Sequence, residues 1–153
     1  MPFVRFDLVE GRSASEIKAI LNATHSALVA AFKIPDRDRY QVVHEHPASH
    51  VVMEDTGLNI SRSRERIFVQ ITTRRRTRRS KELFYDLLCT SLEKECGIAP
   101  SDVVVSMVTT TDEDWSFGYG RAQFLTGELG AELSDGTKVL APVLQPLTQS
   151  NNP

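Results

Sequence analysis

Ile67-Phe68-Val69-Gln70-Ile71-Thr72, followed by Arg74-Arg75-Arg76-Thr77-Arg78-Arg79, restarts a pattern that the chain has already run through once. The first stretch carries the β-branched and aromatic residues of a strand, and the second is too charged to be anything but a connection. A helical pattern then runs from about Ser80 to Cys96, with Leu83, Leu87, Leu88 and Leu92 on its inner face. Gly97 stops it, and Asp102 to Thr109 is a strongly apolar strand. Subtracting 64 from these numbers lays Arg76 on Arg12, Ile98 on Ile34 and Asp102 on Asp38.

The earlier half has the same order of parts. Phe3 to Leu8 alternates as a strand should, and Glu10-Gly11-Arg12 turns the chain. Ser13-Ala14-Ser15-Glu16 has the spacing of a capping box. The helix that follows sets Ile17, Ile20, Leu21, Leu28, Ala31 and Phe32 on one face and ends before Pro35. Asp36-Arg37-Asp38-Arg39 leads into a second strand, Tyr40 to His44. Each half therefore reads as a βαβ unit, residues 2–44 and 66–109, within one domain over residues 2–129. Two such units predict an α/β (α+β) fold: a four-stranded sheet with two helices on one face. The other face is left bare, which predicts an oligomer. Residues 130–153, with a turn at Asp135-Gly136 and an apolar stretch from Val139 to Leu144, read as a C-terminal extension ending in a disordered polar tail.

A chain of 153 residues with net charge -2 can bury a substantial core, and that charge argues against a general nucleic-acid or membrane-surface binder. No apolar run approaches the roughly 20 residues a bilayer needs, and nothing at the start reads as a secretion signal. Cys89 and Cys96 lie seven apart on one helix, about 10 Å by helical rise, too far to pair. Reduced thiols and no export signal predict a cytoplasmic protein.

Chemistry concentrates in few places. Met1-Pro2 predicts trimming of the methionine, leaving a secondary amine with a pKa in the α-amino range of about 8, suited to acid, base or nucleophilic work. Five arginines among residues 74–79 stand where a helix begins, an unfavourable place for cations and a ready place for an anion. Asp38 supports Pro2 if the fold brings them together; otherwise it is a surface ion pair with its arginine neighbours. Trp115, Phe117, Phe124 and Leu129 are core or a substrate wall. His44 and His46 share a strand face near His50, but no further ligand spacing supports a metal. Asp55-Thr56-Gly57 reads as a turn, and Gly118-Tyr119-Gly120 lacks the strand-turn-helix context of a phosphate loop.

Met1-Pro2 opening a βαβ repeat resembles the tautomerase superfamily, whose members use an amino-terminal proline. Four stretches resemble the malonate semialdehyde decarboxylases within it: Phe6 to Arg12, Pro35 to Gln41, Glu54 to Leu58, and Asp114 to Ala122 continuing through Phe124 to Gly127. The resemblance covers about residues 2–129. It implies a homotrimer with sheets packed inward and no cofactor or metal. It also implies roles: Pro2 as cationic acid, Asp38 as its supporting carboxylate, Arg74 and Arg76 as the carboxylate-binding pair, and Trp115, Phe117, Phe124 and Leu129 as an apolar wall. One position departs. The family carries proline between the two arginines, whereas Arg75 stands here, freeing the loop's φ and adding a third cation.

The implied reaction is decarboxylation of malonate semialdehyde (3-oxopropanoate) to acetaldehyde and carbon dioxide. The same parts could serve a hydratase or dehalogenase of unsaturated or 3-haloacrylic acids, or a 2-oxo acid tautomerase. From another class, a non-catalytic trimer could use the basic loop to bind anions or RNA; retained Met1 would favour it.

Overall fold

The computed structural model describes residues 1–129, so the expectations for residues 130–153 lie outside the described residues. Two compact units are present, Met1–Thr110 and a second beginning at Thr111. The first contains six principal elements: β1 (Pro2–Val9), α1 (Ala14–Phe32), β2 (Tyr40–His46), β3 (Ile67–Arg74), α2 (Arg78–Cys96) and β4 (Val103–Thr110).

The sheet order is β2-β1-β3-β4. β1 and β2 are parallel, as are β3 and β4, while β1 and β3 run antiparallel at the centre. Each pair is thus the predicted βαβ unit, and the two units join through their first strands. Alternation does the rest. Val4, Phe6 and Leu8 of β1 and Ile67, Val69 and Ile71 of β3 face the helices and are buried in one core with residues of α1 and α2.

The repeat is not uniform. α1 and α2 overlay at an offset of 64, and so do their caps: Ser13 with Thr77, Lys33 with Gly97. β1 and β3 overlay at 65. The connection before α1 therefore holds one residue more, and Gly11 takes it up at φ 116°, a conformation glycine adopts without steric cost.

α1 begins at the predicted capping box, with both the Ser13 and Glu16 side chains engaged. α2 begins at Arg78 rather than Ser80, because the Thr77 hydroxyl accepts the Ser80 amide at 3.1 Å and draws two arginines into the first turn. Its inner face is Phe84, Leu88 and Leu92. Leu83, expected inside, is 42 % exposed. Phe84 holds the place because its ring meets Phe32 of α1 at 5.4 Å, joining the two helices. Burying such a ring is worth about 1.5–3 kcal/mol.

The sheet face away from the helices mixes apolar side chains, among them Val42 at 40 % and Val108 at 43 % exposure, with one charged cluster. Arg5 donates twice to Asp7, at 2.8 and 3.0 Å, and His46 lies 2.7 Å from the same carboxylate with His44 at 3.5 Å. Burial alone would raise the Asp7 carboxyl, but hydrogen bonds and charge from Arg5 and His46 together hold it below its ordinary range.

Candidate active site

The strand register decides what meets at the amino-terminal end of β1. Pro2 pairs with Thr73 across the antiparallel ladder, and Phe3 pairs with Tyr40 across the parallel one. The start of the chain, the end of β3 and the segment entering β2 therefore share one end of the sheet. Asp38 is held there by a turn in which its amide donates to the Pro35 carbonyl at 2.9 Å. Its carboxylate is buried, and one oxygen lies 3.5 Å from the Met1 ammonium. Pro2 is buried beside it in the sequence, on the helix-facing side of β1.

Arg76 reaches the same region from the connection between β3 and α2. Its Nε donates to Thr73 Oγ1 at 3.3 Å and its Nη1 to the Phe32 carbonyl at 3.3 Å, with the guanidinium 4.9 Å from the centre of the Phe32 ring. Phe32 is the last residue of α1, so this cation also meets the negative end of a helix dipole and a carbonyl without an intrahelical partner. Arg74 closes β3 opposite Thr110, in the half-buried alternation that leaves the helix-facing side to Thr73. Asp38, Pro2 and Arg76 are thus gathered around one end of the central β1–β3 pair, and Arg74 flanks them on the other sheet face. Arg75 is exposed and lines an open cleft of about 710 Å³ with Arg76, Arg78, Lys81, Glu82, Tyr85 and Thr109.

Thr73 escaped the sequence reading. It is 1 % exposed and links Arg76 to the strand that pairs with Pro2. Its signal was a hydroxyl closing the apolar series Ile67, Val69, Ile71 on a buried face, where a polar group needs a partner.

In the second unit, Thr111 and Asp114 form a reciprocal cap, the Thr111 amide and hydroxyl donating to the Asp114 carboxylate at 2.7 and 3.0 Å. Both bonds hold that carboxyl below its ordinary range. Trp115 and Phe117 stack at 5.5 Å with 9° between planes, and Phe124 meets Phe117 edge-on at 5.3 Å. Gln123, 8 % exposed and unremarked in sequence, fixes this loop. Its Oε1 accepts the Phe117 amide at 2.9 Å, its Nε2 donates to the Gly118 carbonyl at 2.7 Å, and its carbonyl accepts the Leu129 amide at 3.1 Å. The aromatic trio is one body; Leu129 is 37 % exposed.

Asp55 accepts the Leu58 and Ile60 amides at 2.9 and 2.8 Å ahead of Gly57 at φ 84°, the turn read from sequence. Cys89 and Cys96 are free. Among the described residues no group of three His, Cys, Asp or Glu is placed to hold a metal, and no helix is long and apolar enough to cross a membrane.

Two family models, each described as "Tautomerase enzyme", match residues 38–118 and 2–59. The Bacillus subtilis (strain 168) protein named probable tautomerase YrdN is 50 % identical over 129 residues, 84 % of this chain and all of that one. A malonate semialdehyde decarboxylase, crystallised in wild-type, mutant and inactivated forms as a basis for decarboxylase and hydratase activities, is 47 % identical. That match covers 83 % of this chain and 98 % of the other, with a TM-score of 0.81. A malonate semialdehyde decarboxylase called FG41, inhibited by 3-bromopropiolate, is 38 % identical over 84 % of this chain and 98 % of its own, with a TM-score of 0.80. With the sheet, the repeat and the full length of these relatives in agreement, the chain belongs to the tautomerase family.

Proposed function

We propose that the protein decarboxylates malonate semialdehyde to acetaldehyde and carbon dioxide without a cofactor, using the secondary amine of Pro2 as the acid once Met1 is removed. The observation that carries this reading is the buried Asp38 carboxylate 3.5 Å from the terminal ammonium. A carboxylate so placed favours the charged form of an amine, and moving the chain end by one residue passes that role to Pro2. The 47 % identity to a malonate semialdehyde decarboxylase supports the substrate.

In the proposed reaction Arg76 and Arg74 hold the carboxylate with its C–C bond turned out of the carbonyl plane. As that bond breaks, its electron pair passes to the α-carbon and on to the aldehyde oxygen, where prolinium donates a hydrogen bond. Carbon dioxide leaves, and one proton taken up at the α-carbon gives acetaldehyde. Trp115, Phe117, Phe124 and Leu129 are given the apolar wall, which disfavours the carboxylate and suits the neutral product. The bare sheet face is given to a homotrimer, and the cytoplasm is the proposed compartment.

A second reading has its own support. A 38 % identical relative is inhibited by 3-bromopropiolate, so the same cationic acid could polarise unsaturated acids for attack by water. Proton NMR decides between them. Protein with Met1 removal verified by mass spectrometry is incubated with malonate semialdehyde or with 3-haloacrylate, beside Arg76→Ala and a form with an uncleaved amino-terminal tag. Acetaldehyde from the trimmed protein alone supports the decarboxylase. Its absence, with haloacrylate consumed, moves the assignment to hydration. Equal acetaldehyde from the tagged form removes the amine from the mechanism.

A further inference from the structure

The substrate proposed above is a small monoanion, yet the cleft that shares Arg76 with the site is built for more charge. Four cationic side chains line it, Arg75, Arg76, Arg78 and Lys81, against the single carboxylate of Glu82. That carboxylate is already engaged, because Arg78 Nε donates to it at 2.6 Å. No acidic residue stands in the first turn of α2 to offset the others. Among the described residues, Arg75 and Lys81 make no ion pair. The volume, about 710 Å³, falls in the range of roughly 300–1,000 Å³ typical of sites for ligands well above three carbons in size.

Two features join the cleft to the proposed catalytic end of the sheet. Arg76 is tied to Thr73, which pairs with Pro2, and the same Arg76 forms part of the cleft wall. Arg75, immediately before it, is exposed and lines the cleft as well. A ligand carboxylate on Arg76 therefore has Arg75 and Lys81 available for a second one. Arginine suits that task through its planar pair of donors, and Tyr85 adds a partly apolar wall with a polar tip.

We infer that this cleft is a second anion subsite, and that the site takes small acids bearing two or three carboxylates, as extended substrates or as competitors of the monoanion. This rests on the reading of Arg76 as a carboxylate-binding residue.

The test is calorimetric titration at fixed ionic strength with propanoate, malonate and tricarballylate, none of which requires turnover. The parent protein is expected to bind tricarballylate at least tenfold more tightly than propanoate, with malonate between. Arg75→Ala/Lys81→Ala should bring that ratio to within about twofold of unity, while Lys18→Ala, which removes an exposed cation on α1, should leave it in place. Thermal unfolding confirms that each variant is folded. No preference in the parent, a preference that survives the double variant, or an equal loss in Lys18→Ala overturns the subsite. Acetaldehyde production is followed in parallel. Decarboxylation without the preference sinks the subsite and leaves the reaction; the preference without decarboxylation does the reverse.

Discussion

The two ends of the sheet are built from the same residue types and put them to opposite uses. At one end stand Asp38 and Arg76; at the other, 64 residues removed, stand Asp102 and Arg12. Asp102 is 2 % exposed, and its carboxylate accepts both the amide and the hydroxyl of Ser63 at 2.6 Å. Arg12 donates to the Val9 carbonyl at 3.1 Å, to the Glu65 carbonyl at 2.9 Å and to the Glu65 carboxylate at 2.6 Å. Arg66 adds bonds to the Val51 and Ala48 carbonyls. The long segment between β2 and β3 has thus occupied the second end with its own backbone. At the first end the carboxylate faces a chain terminus. A repeated fold offers two equivalent places for chemistry, and here one is consumed as structure.

The sharpest way to break this comparison is to remove each carboxylate and read both activity and stability. Asp38→Asn should lower kcat/KM on the proposed substrate by on the order of a hundredfold or more, since it removes support from the general acid, and should change the denaturation midpoint little. Asp102→Ala should do the opposite, costing about 1–3 kcal/mol by removing a buried carboxylate and the two bonds that Ser63 donates to it, with kcat/KM within about twofold of the parent. Steady-state kinetics beside urea unfolding checks the pair. Equal activity losses would mean that both ends contribute to catalysis.

The arginines sharpen the contrast. Arg76→Ala should raise KM by about tenfold or more, the scale of one charge-assisted bond to a carboxylate, and should also cost about 1 kcal/mol of stability, because Thr73 and the Phe32 carbonyl lose a donor. Arg12→Ala strips partners from two carbonyls and from Glu65, and should lower stability by about 1–3 kcal/mol while KM stays put. Saturation kinetics on both variants is the check; a raised KM in Arg12→Ala would count against a purely structural second end.

Much of this was legible in advance, for identifiable reasons. The 64-residue offset holds because helices and caps are read locally: Ser13 with Glu16, and Gly97 at φ 68°. Asp38, Pro2 and Arg76 could be nominated from residue type and from resemblance. What escaped depended on long-range pairing. The antiparallel join of β1 to β3, which puts Thr73 opposite Pro2, leaves no local trace. Neither does the choice of Phe84 over Leu83, since the leucine spacing 83 and 87 imitates the true face 84, 88 and 92 until Phe32 is known to lie opposite. The one-residue change of offset in the strands was hidden at Gly11, where the repeat itself absorbs it.

The outer sheet face also divides by halves. Arg5, Asp7, His44 and His46 cluster on the first pair of strands, while the corresponding positions on the second pair carry Gln70, Thr72, Val108 and Thr110. Asp7 is held below its ordinary pKa in the folded protein. Its contribution to stability is therefore present above the unfolded carboxyl value of about 3.9 and is lost as pH falls through the lower folded value. Asp7→Asn should reduce the parent's loss of urea midpoint between pH 5 and pH 2.5, with a smaller difference between the two proteins at the acid end. Unfolding followed by circular dichroism across that range reads it. Parallel curves would show that the cluster is no stronger than in the unfolded chain.

The smallest difference between the halves lies at the helix ends. Both helices finish in a left-handed residue: α1 with Lys33 at φ 55°, α2 with Gly97 at φ 68°. The caps share one backbone bond, the Lys33 amide reaching the Val29 carbonyl at 3.0 Å and the Gly97 amide the Glu93 carbonyl at 3.1 Å, and α2 adds a second from the Ile98 amide to the Leu92 carbonyl at 3.1 Å. The side chain at the left-handed position differs as well. Lysine bears the steric cost of a Cβ at positive φ, which glycine avoids although it loses more backbone freedom on folding. Lys33→Gly should therefore stabilise the protein by a few tenths of a kcal/mol, up to about 1, and Gly97→Ala should destabilise it by about the same amount. Opposite shifts of the urea midpoint would show two equivalent caps, one optimised and one not. A destabilised Lys33→Gly would mean that the lysine stem supplies packing at the end of α1 that outweighs its strain, and that the halves differ even where their backbones coincide.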